Sequence, residues 1–169
     1  SDGEYWPVRP LATCTAWIAV DDATPENGCL RVVPGSHKDQ ALLQHVTEEG
    51  DYTLFRRLED EAGAEANAHD VVLERGQISI HDVYMVHGSR PNNSNKSRRG
   101  ITFRYMPTTS HFDYDLNDKL VREQGVLSLA HRKLFLMRGV DRCGKNRIVD
   151  HPANLESFWD GADVSVAAE

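Results

Sequence analysis

A histidine, a serine and an arginine near the middle of this 169-residue chain are of the types that bind metals and anions. His87, Gly88 and Ser89 are consecutive, and Arg98 follows eleven residues after the histidine. Imidazole is a common metal ligand. Guanidinium is permanently charged and binds carboxylates through two parallel hydrogen bonds. The spacing suggests a site for a metal and an organic anion, although a histidine taken alone is usually structural.

Two upstream motifs and the start of the chain make this interpretation more specific. They read Glu26-Asn27-Gly28-Cys29-Leu30, Val33-Pro34-Gly35-Ser36-His37 and Ser1-Asp2-Gly3. In this combination the chain resembles the C-terminal, iron-binding half of the phytanoyl-CoA dioxygenase family of Fe(II)- and 2-oxoglutarate-dependent oxygenases. The resemblance extends from Ser1 to about Met106. His37 closes the second motif, and we expect it to be structural.

The resemblance implies that Asp2 and His87 are metal ligands. Family members read His-x-Asp where this chain opens, which implies a further histidine directly before Ser1 in a longer parent protein. Two histidines and one carboxylate leave positions open for cosubstrate and O₂. Taken alone, Asp2 would be an ordinary terminal residue. His81 lies near enough in sequence to approach the metal, but we expect a hydrogen-bonded polar residue there.

The same resemblance implies a 2-oxoglutarate site. Arg98 would bind the C5 carboxylate of the cosubstrate, and the Ser89 hydroxyl would contact the same molecule. Trp17 and Thr15 would line the pocket, although a core role suits Trp17 nearly as well. Arg99 would point to the opposite face of its strand, toward solvent. A solvated basic pair is the alternative for both arginines.

Tyr5, Trp6 and Arg9 are candidates for substrate contact on resemblance, and Arg104 is a fourth candidate from its place on a predicted strand. Arg104 lies on the same side of its predicted strand as Arg98, so its cation needs an anion if that side faces a barrel interior. A substrate carboxylate or phosphate and a structural ion pair are both open. His111-Phe112-Asp113 is a second His-x-Asp, but we expect it to lie in a loop without a metal role.

These candidates need strands to position them. Alternation predicts a strand over residues 12–20, with Thr13, Thr15 and Trp17 on one face. Further strands are predicted over 29–33, 71–74, 77–81 and 99–106, and a helix over 115–124 that ends at Gly125. Many short strands indicate an all-β sandwich or barrel. The resemblance implies a mainly-β double-stranded β-helix, a cupin-like jelly roll with flanking helices, whose N-terminal part is missing here.

We expect residues 1–169 to form a single domain, the C-terminal portion of such a jelly roll. Residues 38–69 are polar and suggest an exposed insertion with helical turns. Residues 107–169 suggest a helix and loop extension that shapes substrate access, with a mobile tail after Gly161.

Composition limits the possible partners. The formal charge of −7 argues against a nucleic-acid surface, and no run of residues is apolar enough for a membrane helix. The three cysteines share no CxxC spacing, which argues against zinc ribbons and favours reduced thiols in a cytoplasmic protein. We therefore expect a small-molecule substrate, with no nucleic acid and no membrane, and leave the oligomeric state open.

The function implied by the resemblance is hydroxylation of a small organic substrate with Fe(II), 2-oxoglutarate and O₂, releasing succinate and CO₂. The aspartate at position 2 favours hydroxylation over halogenation, because related halogenases replace this carboxylate. The alternatives are a cupin-type metalloprotein that does not use 2-oxoglutarate and a non-catalytic, ligand-binding jelly roll that has lost its metal.

Overall fold

Short antiparallel strands dominate the computed structural model, which describes residues 1–47 and 56–150. The strands are β1 Val8–Arg9, β2 Cys14–Ala19, β3 Leu30–Val32, β4 His45–Thr47, β5 Arg56–Leu58, β6 His69–Asp70, β7 Ile78–Asp82, β8 His87–Ser89, β9 Gly100–Tyr105, β10 His111–Phe112, β11 Leu134–Phe135 and β12 Ile148–Val149. The helices are α1 Glu61–Ala66 and α2 Tyr114–Gln124. The fold is the predicted jelly roll with flanking helices.

The first central sheet has the order β7-β2-β9, with both neighbours antiparallel to β2. Thr15 on β2 is opposite His81 on β7 and Arg104 on β9. Side chains alternate along a strand, so these three residues form one row on one face of the sheet. Trp17 and Thr102 are paired one row further along this face. The predicted sharing of a face by Thr15 and Trp17 is therefore confirmed.

The two faces of this sheet have opposite chemistry. The outer face carries large apolar residues that are 46–71% exposed within the part of the chain that the structure describes: Ile78, Ile80, Ile101 and Phe103. The inner face carries a threonine that is 3% exposed, a histidine and an arginine. Polar groups are rarely gathered on an inward face unless they have partners there. The inner face is therefore better suited to lining a functional site than to packing in a hydrophobic core.

The second central sheet has the order β6-β3-β8 and supplies the His-Gly-Ser motif. His87 pairs with Val32 and Ser89 pairs with Leu30. Because side chains alternate, His87 and Ser89 share a face of β8, and Gly88 lies on the other face. The predicted strands over 29–33 and 77–81 are thereby observed as β3 and β7, with small differences at their ends.

The start of the chain is anchored by a small apolar cluster. Trp6, Val8 and Val83 are buried together, with partly buried neighbours packed against them: Tyr5, Leu11, Tyr84, Met106 and Leu129. The pairing of β1 with β10 ties this region to the residues after 107. His111 therefore lies in a strand opposite Arg9, and the prediction of a loop there is wrong.

The helix predicted over 115–124 is confirmed as α2. The Asp113 carboxylate accepts a hydrogen bond from the Leu116 N–H at its N-terminus, and Gly125 ends it in a left-handed conformation with φ of 66°. Asp113 therefore has a capping role. None of the helices in the described ranges is long and apolar enough to cross a bilayer.

The predicted insertion over 38–69 contains α1 and also the antiparallel pair β4 and β5, which the sequence analysis did not predict. Residues 48–55 of it lie outside the described residues, as does the predicted tail after Gly161.

Candidate metal centre

Three side chains with metal-binding atoms meet between the two central sheets. Asp2, His81 and His87 place one ligand atom each within 4.8 Å of one another. Asp2 is held at the rim because its backbone N–H donates to the carbonyl of Val83 at 3.1 Å. The rings of His81 on β7 and His87 on β8 lie 4.8 Å apart between centroids. The structure therefore brings both predicted metal ligands together and adds a second imidazole.

The Asp2 carboxylate is buried, with 3% of the residue exposed, and has a partner for each oxygen. Oδ1 lies 3.3 Å from His87 Nε2 and accepts a hydrogen bond from the Tyr5 hydroxyl at 2.5 Å. Oδ2 accepts a hydrogen bond from Nη1 of Arg104. Burial alone would raise the pKa of Asp2, but His87, Arg104 and Tyr5 together hold that pKa well below its usual range. The carboxyl group is therefore ionised.

The orientation of His87 is set by a main-chain carbonyl. Its Nδ1 lies 2.9 Å from the carbonyl oxygen of Met85, which can only accept a hydrogen bond. Nδ1 therefore carries a proton, and Nε2 is the nitrogen that faces Asp2 and that can bind a metal once it has lost its own proton. A backbone carbonyl behind a ligating imidazole is the usual outer-shell arrangement in metal sites.

His81 is also suited to a metal, although the sequence predicted a satisfied polar residue. Its Nδ1 is buried and has no hydrogen-bond partner among residues 1–47 and 56–150, so that prediction is wrong for this atom. Burial, followed by the charge of His87, lowers the pKa of His81 to about 4. A neutral imidazole with an unpaired nitrogen next to an ionised carboxylate fits a divalent metal.

The predicted cosubstrate residues lie on both sheets. The Arg98 guanidinium carbon is 5.9 Å from the centroid of the Trp17 ring, within range of a cation–π contact. Ser89 lies on β8 of the second sheet and is paired with Leu30. The structure therefore brings Arg98 and Trp17 together and places Ser89 on the other central sheet.

The other arginine of the pair has a different environment. The Arg99 side chain is 72% exposed and donates from Nε and Nη2 to the Asp21 carboxylate, at 2.8 Å each. It thus lies at the surface, as predicted, but it is paired rather than simply solvated.

Two of the four substrate candidates contact Asp2 directly. Tyr5 and Arg104 bind its carboxylate, and the Arg104 guanidinium carbon lies 4.4 Å from the centroid of the Trp6 ring. Arg9 donates to the carbonyls of Trp6 and Val8 at 3.3 and 2.7 Å. The sequence left two partners open for Arg104, a substrate anion and a structural ion pair, and the structure shows the ion pair, with Asp2. A role of these residues in substrate contact stays a prediction.

The Asn-Gly-Cys-Leu motif positions the segment before β9 that carries Arg98. The Asn27 amide is buried, accepts from the Thr24 N–H at 2.8 Å and donates to the carbonyls of Asp22 and Ser97 at 2.8 and 3.2 Å. Ser97 directly precedes Arg98, so Asn27 fixes the chain just before β9 begins. Sequence reasoning identified the motif but missed this contact.

The Pro-Gly-Ser-His motif does the same for the histidine. The Ser36 hydroxyl accepts from the Val86 N–H at 2.9 Å and donates to the Met85 sulfur at 3.4 Å. The Val33 N–H donates to the Val86 carbonyl at 2.9 Å. Val86 is thus held on both sides directly before His87. The signal for this contact in the sequence was Ser36 itself, a polar residue that follows the turn glycine Gly35 and to which no chemical role was assigned.

Comparison with known proteins supports these observations. The family described as "Phytanoyl-CoA dioxygenase (PhyH)" matches residues 1–100. The chain is 31% identical over 137 residues to "Phytanoyl-CoA dioxygenase, peroxisomal" of Homo sapiens, covering 78% of this chain and 40% of that protein. It is 32% identical over 108 residues to "Phytanoyl-CoA dioxygenase domain-containing protein 1 homolog" of Dictyostelium discoideum, covering 62% and 38%. The chain therefore spans about two fifths of the length of these relatives.

Solved structures agree on the fold. The non-heme monooxygenase ThoJ in its apo form superposes with a TM-score of 0.62 at 24% identity, covering 94% of this chain and 54% of that one. The epimerase SnoN, in complex with Fe³⁺, alpha ketoglutarate and nogalamycin RO, has a TM-score of 0.51 at 25% identity, covering 76% and 49%. With more than half of its length matched by the family, the chain belongs to the phytanoyl-CoA dioxygenase family.

Proposed function

We propose that the protein containing this chain is an Fe(II)- and 2-oxoglutarate-dependent dioxygenase that hydroxylates a small organic substrate and releases succinate and CO₂. The observation that carries the proposal is the convergence of Asp2, His81 and His87. A buried, ionised carboxylate beside imidazole nitrogens is the donor set of non-haem iron oxygenases. Family membership and the alpha ketoglutarate complex of SnoN support the same conclusion.

Asp2 and His87 would hold the iron, and the third ligand would be the histidine predicted directly before Ser1. His81 is the alternative third donor, because its buried Nδ1 is unpaired in the described chain. When bound, ferrous iron would supply the activation of O₂. The residues of the chain supply the geometry: the Met85 carbonyl turns His87 Nε2 toward the site, and burial keeps bulk water from Asp2.

Arg98 would bind the C5 carboxylate of 2-oxoglutarate, with Ser89 donating a hydrogen bond and Trp17 and Thr15 lining the pocket. Within the described ranges Arg98 forms no ion pair, and its guanidinium lies against the Trp17 ring. A partly buried guanidinium without a carboxylate partner is available to an anion. This distinguishes it from Arg99, which Asp21 already neutralises.

The first experiment is an anaerobic titration of the Fe(II)-loaded, full-length protein with 2-oxoglutarate. We expect a metal-to-ligand charge-transfer band in the visible spectrum. Absence of the band would instead favour a non-catalytic jelly roll that has lost its metal. Arg98→Met should weaken 2-oxoglutarate binding at least tenfold, and Arg99→Met is the matched control. Turnover that survives Arg98→Met unchanged would favour a cupin-type metalloprotein that does not use 2-oxoglutarate.

The reaction outcome needs its own measurement, because SnoN is described as an epimerase on a similar fold. Asp2 favours hydroxylation over halogenation, as its carboxylate occupies the position that a halide would need. Succinate release across a compound panel should identify the substrate, and product mass should increase by one oxygen atom. Isomerisation without gain of oxygen would refute the hydroxylation step.

We also propose that the protein acts in the cytoplasm on a small molecule, with no nucleic-acid or membrane partner. The three cysteines are free thiols, which suits a reducing compartment. Subcellular fractionation tests the location, and recovery in an organelle or secreted fraction would refute it.

A further inference from the structure

The two oxygens of the Asp2 carboxylate have partners of different kinds. Oδ1 lies 3.3 Å from Nε2 of His87, one of the two candidate metal-binding imidazoles, and also accepts a hydrogen bond from the Tyr5 hydroxyl. Oδ2 faces the guanidinium of Arg104. The carboxylate is therefore divided between a side that faces the candidate metal and a side that faces a cation.

Arg104 is held in place from two directions. Its strand β9 is in register with β2, so that Arg104 lies opposite Thr15 and in the same row as His81. Its guanidinium lies over the ring of Trp6, which is 8% exposed and belongs to the apolar cluster. A guanidinium stacked on a fixed ring has little freedom to leave the oxygen that it binds.

We infer that Arg104 is a positioning residue that keeps the Asp2 carboxylate monodentate toward a bound metal. The inference rests on the proposed function and adds to it a residue that acts on the iron only through Asp2. A carboxylate whose second oxygen is bound by a cation offers the metal one oxygen only. Two imidazoles, one carboxylate oxygen, a two-point chelate and O₂ together fill an octahedron. A bidentate aspartate would therefore compete with 2-oxoglutarate for a position.

The test compares four forms of the full-length protein: wild type, Arg104→Met, Arg104→Lys and Arg99→Met. Methionine keeps much of the side-chain length without the charge, and lysine keeps the charge without the planar fork. Arg99→Met removes an arginine that is 72% exposed, paired with Asp21 and located just before β9. Each form is measured for Co(II) affinity without cosubstrate, for the Kd of 2-oxoglutarate in the charge-transfer titration with Fe(II), and for thermal unfolding.

We expect the two affinities of Arg104→Met to move in opposite directions. Co(II) should bind at least as tightly as to wild type, because a cation next to the metal position is gone and Oδ2 is released, while Oδ1 keeps its contact with Tyr5. The Kd of 2-oxoglutarate for Arg104→Met should rise at least tenfold over wild type. For Arg104→Lys this Kd should be within about threefold of the wild-type value, and Arg99→Met should change neither the Co(II) affinity nor the 2-oxoglutarate Kd.

Other results would overturn the inference. A Kd of 2-oxoglutarate within threefold of wild type in a folded Arg104→Met protein would show that the carboxylate does not need this cation. Parallel loss of Co(II) and 2-oxoglutarate binding would show a structural role. If Arg104→Met does not fold, Arg104→Gln is judged by the same two affinities. A wild-type protein without a charge-transfer band would refute the proposed function and this inference with it, whereas a band with an unmoved Kd refutes the inference alone.

Discussion

Replacing Gly100 with alanine should disturb cosubstrate binding through the packing of one ring. The Trp17 indole lies across the backbone at this glycine, where an added Cβ would be 2.2 Å from Cζ2 and 2.3 Å from Cε2 of the ring. Carbon atoms in contact prefer about 3.5 Å, so the ring or the strand must move by about 1 Å. Overpacking of this kind costs about 1–3 kcal/mol of the free energy of unfolding.

The same displacement should reach the cosubstrate site, because Arg98 is two residues before Gly100 and lies over the Trp17 ring. We expect the Kd of 2-oxoglutarate to rise about tenfold, which corresponds to ~1.4 kcal/mol. The assays are chemical denaturation for stability and the anaerobic charge-transfer titration for affinity. Pairing Gly100→Ala with Trp17→Leu should recover part of the lost stability, because the smaller side chain relieves the overlap.

Gly88→Ala is the matched control for this experiment. Gly88 also lies in a central strand, between His87 and Ser89, yet a Cβ built there meets no atom of the described residues within 4 Å. We expect its effect on stability to be within about 0.5 kcal/mol. The packing argument fails if Gly100→Ala leaves both stability and the 2-oxoglutarate Kd unchanged. It fails equally if the two alanine variants are damaged to the same extent.

Three other changes have definite expected outcomes. Asn27→Ala removes the buried donor to the Ser97 carbonyl, so the free energy of unfolding should fall by about 1–3 kcal/mol. Chemical denaturation measures this, and an unchanged free energy of unfolding would show that the motif is dispensable for stability. Ser36→Ala should weaken Co(II) binding and lower the free energy of unfolding by about 1–3 kcal/mol, because the buried Val86 N–H loses the hydroxyl that accepts from it before His87. Metal titration tests the effect on the site, and unchanged Co(II) affinity would count against the role. The pKa of His81 is about 4 in the folded protein without metal and near 6.5 in the unfolded chain. As the pH falls, His81 therefore gains a proton in the unfolded state before it does so in the folded state, and the free energy of unfolding should decrease between about pH 6.5 and about pH 4. His81→Gln should flatten that decline in a pH series of thermal unfolding, and an equally steep decline in the variant would contradict it.

The strands of the central sheets were predictable because polar and apolar residues alternate regularly over 12–20. The next strand, over 29–33, was predictable because the turn residues Asn27-Gly28 and Pro34-Gly35 mark its two ends. The Pro-Gly and Asn-Gly turns were visible, but their contacts were not, since Asn27 and Ser36 bind main-chain atoms 70 and 50 residues away in sequence. Strand β10 was missed because His111–Phe112 is too short to show a period and exists through its pairing with β1.

The candidate site was predictable to a similar degree. Residue types and the family resemblance pointed to Asp2 and His87, and the structure brings them within 3.3 Å. The partner of Arg104 was not predictable, because strand alternation gives the face of a side chain and not the group that it meets there. His81 was judged from the rule that buried polar atoms are paired, and a site prepared for a ligand is the common exception to that rule.

The contacts that orient the site bind carbonyl oxygens of the main chain at Met85 and Ser97. A carbonyl is present whatever amino acid carries it, so neither contact depends on the identity of the side chain at these positions. Saturation mutagenesis at 97 should therefore tolerate many substitutions, proline aside, and at 85 the loss should be limited to the contact between the Ser36 hydroxyl and the Met85 sulfur, while Asn27 and His87 tolerate few. A site built in this way can vary the residues beside its centre during evolution without having to rebuild the scaffold that aligns it.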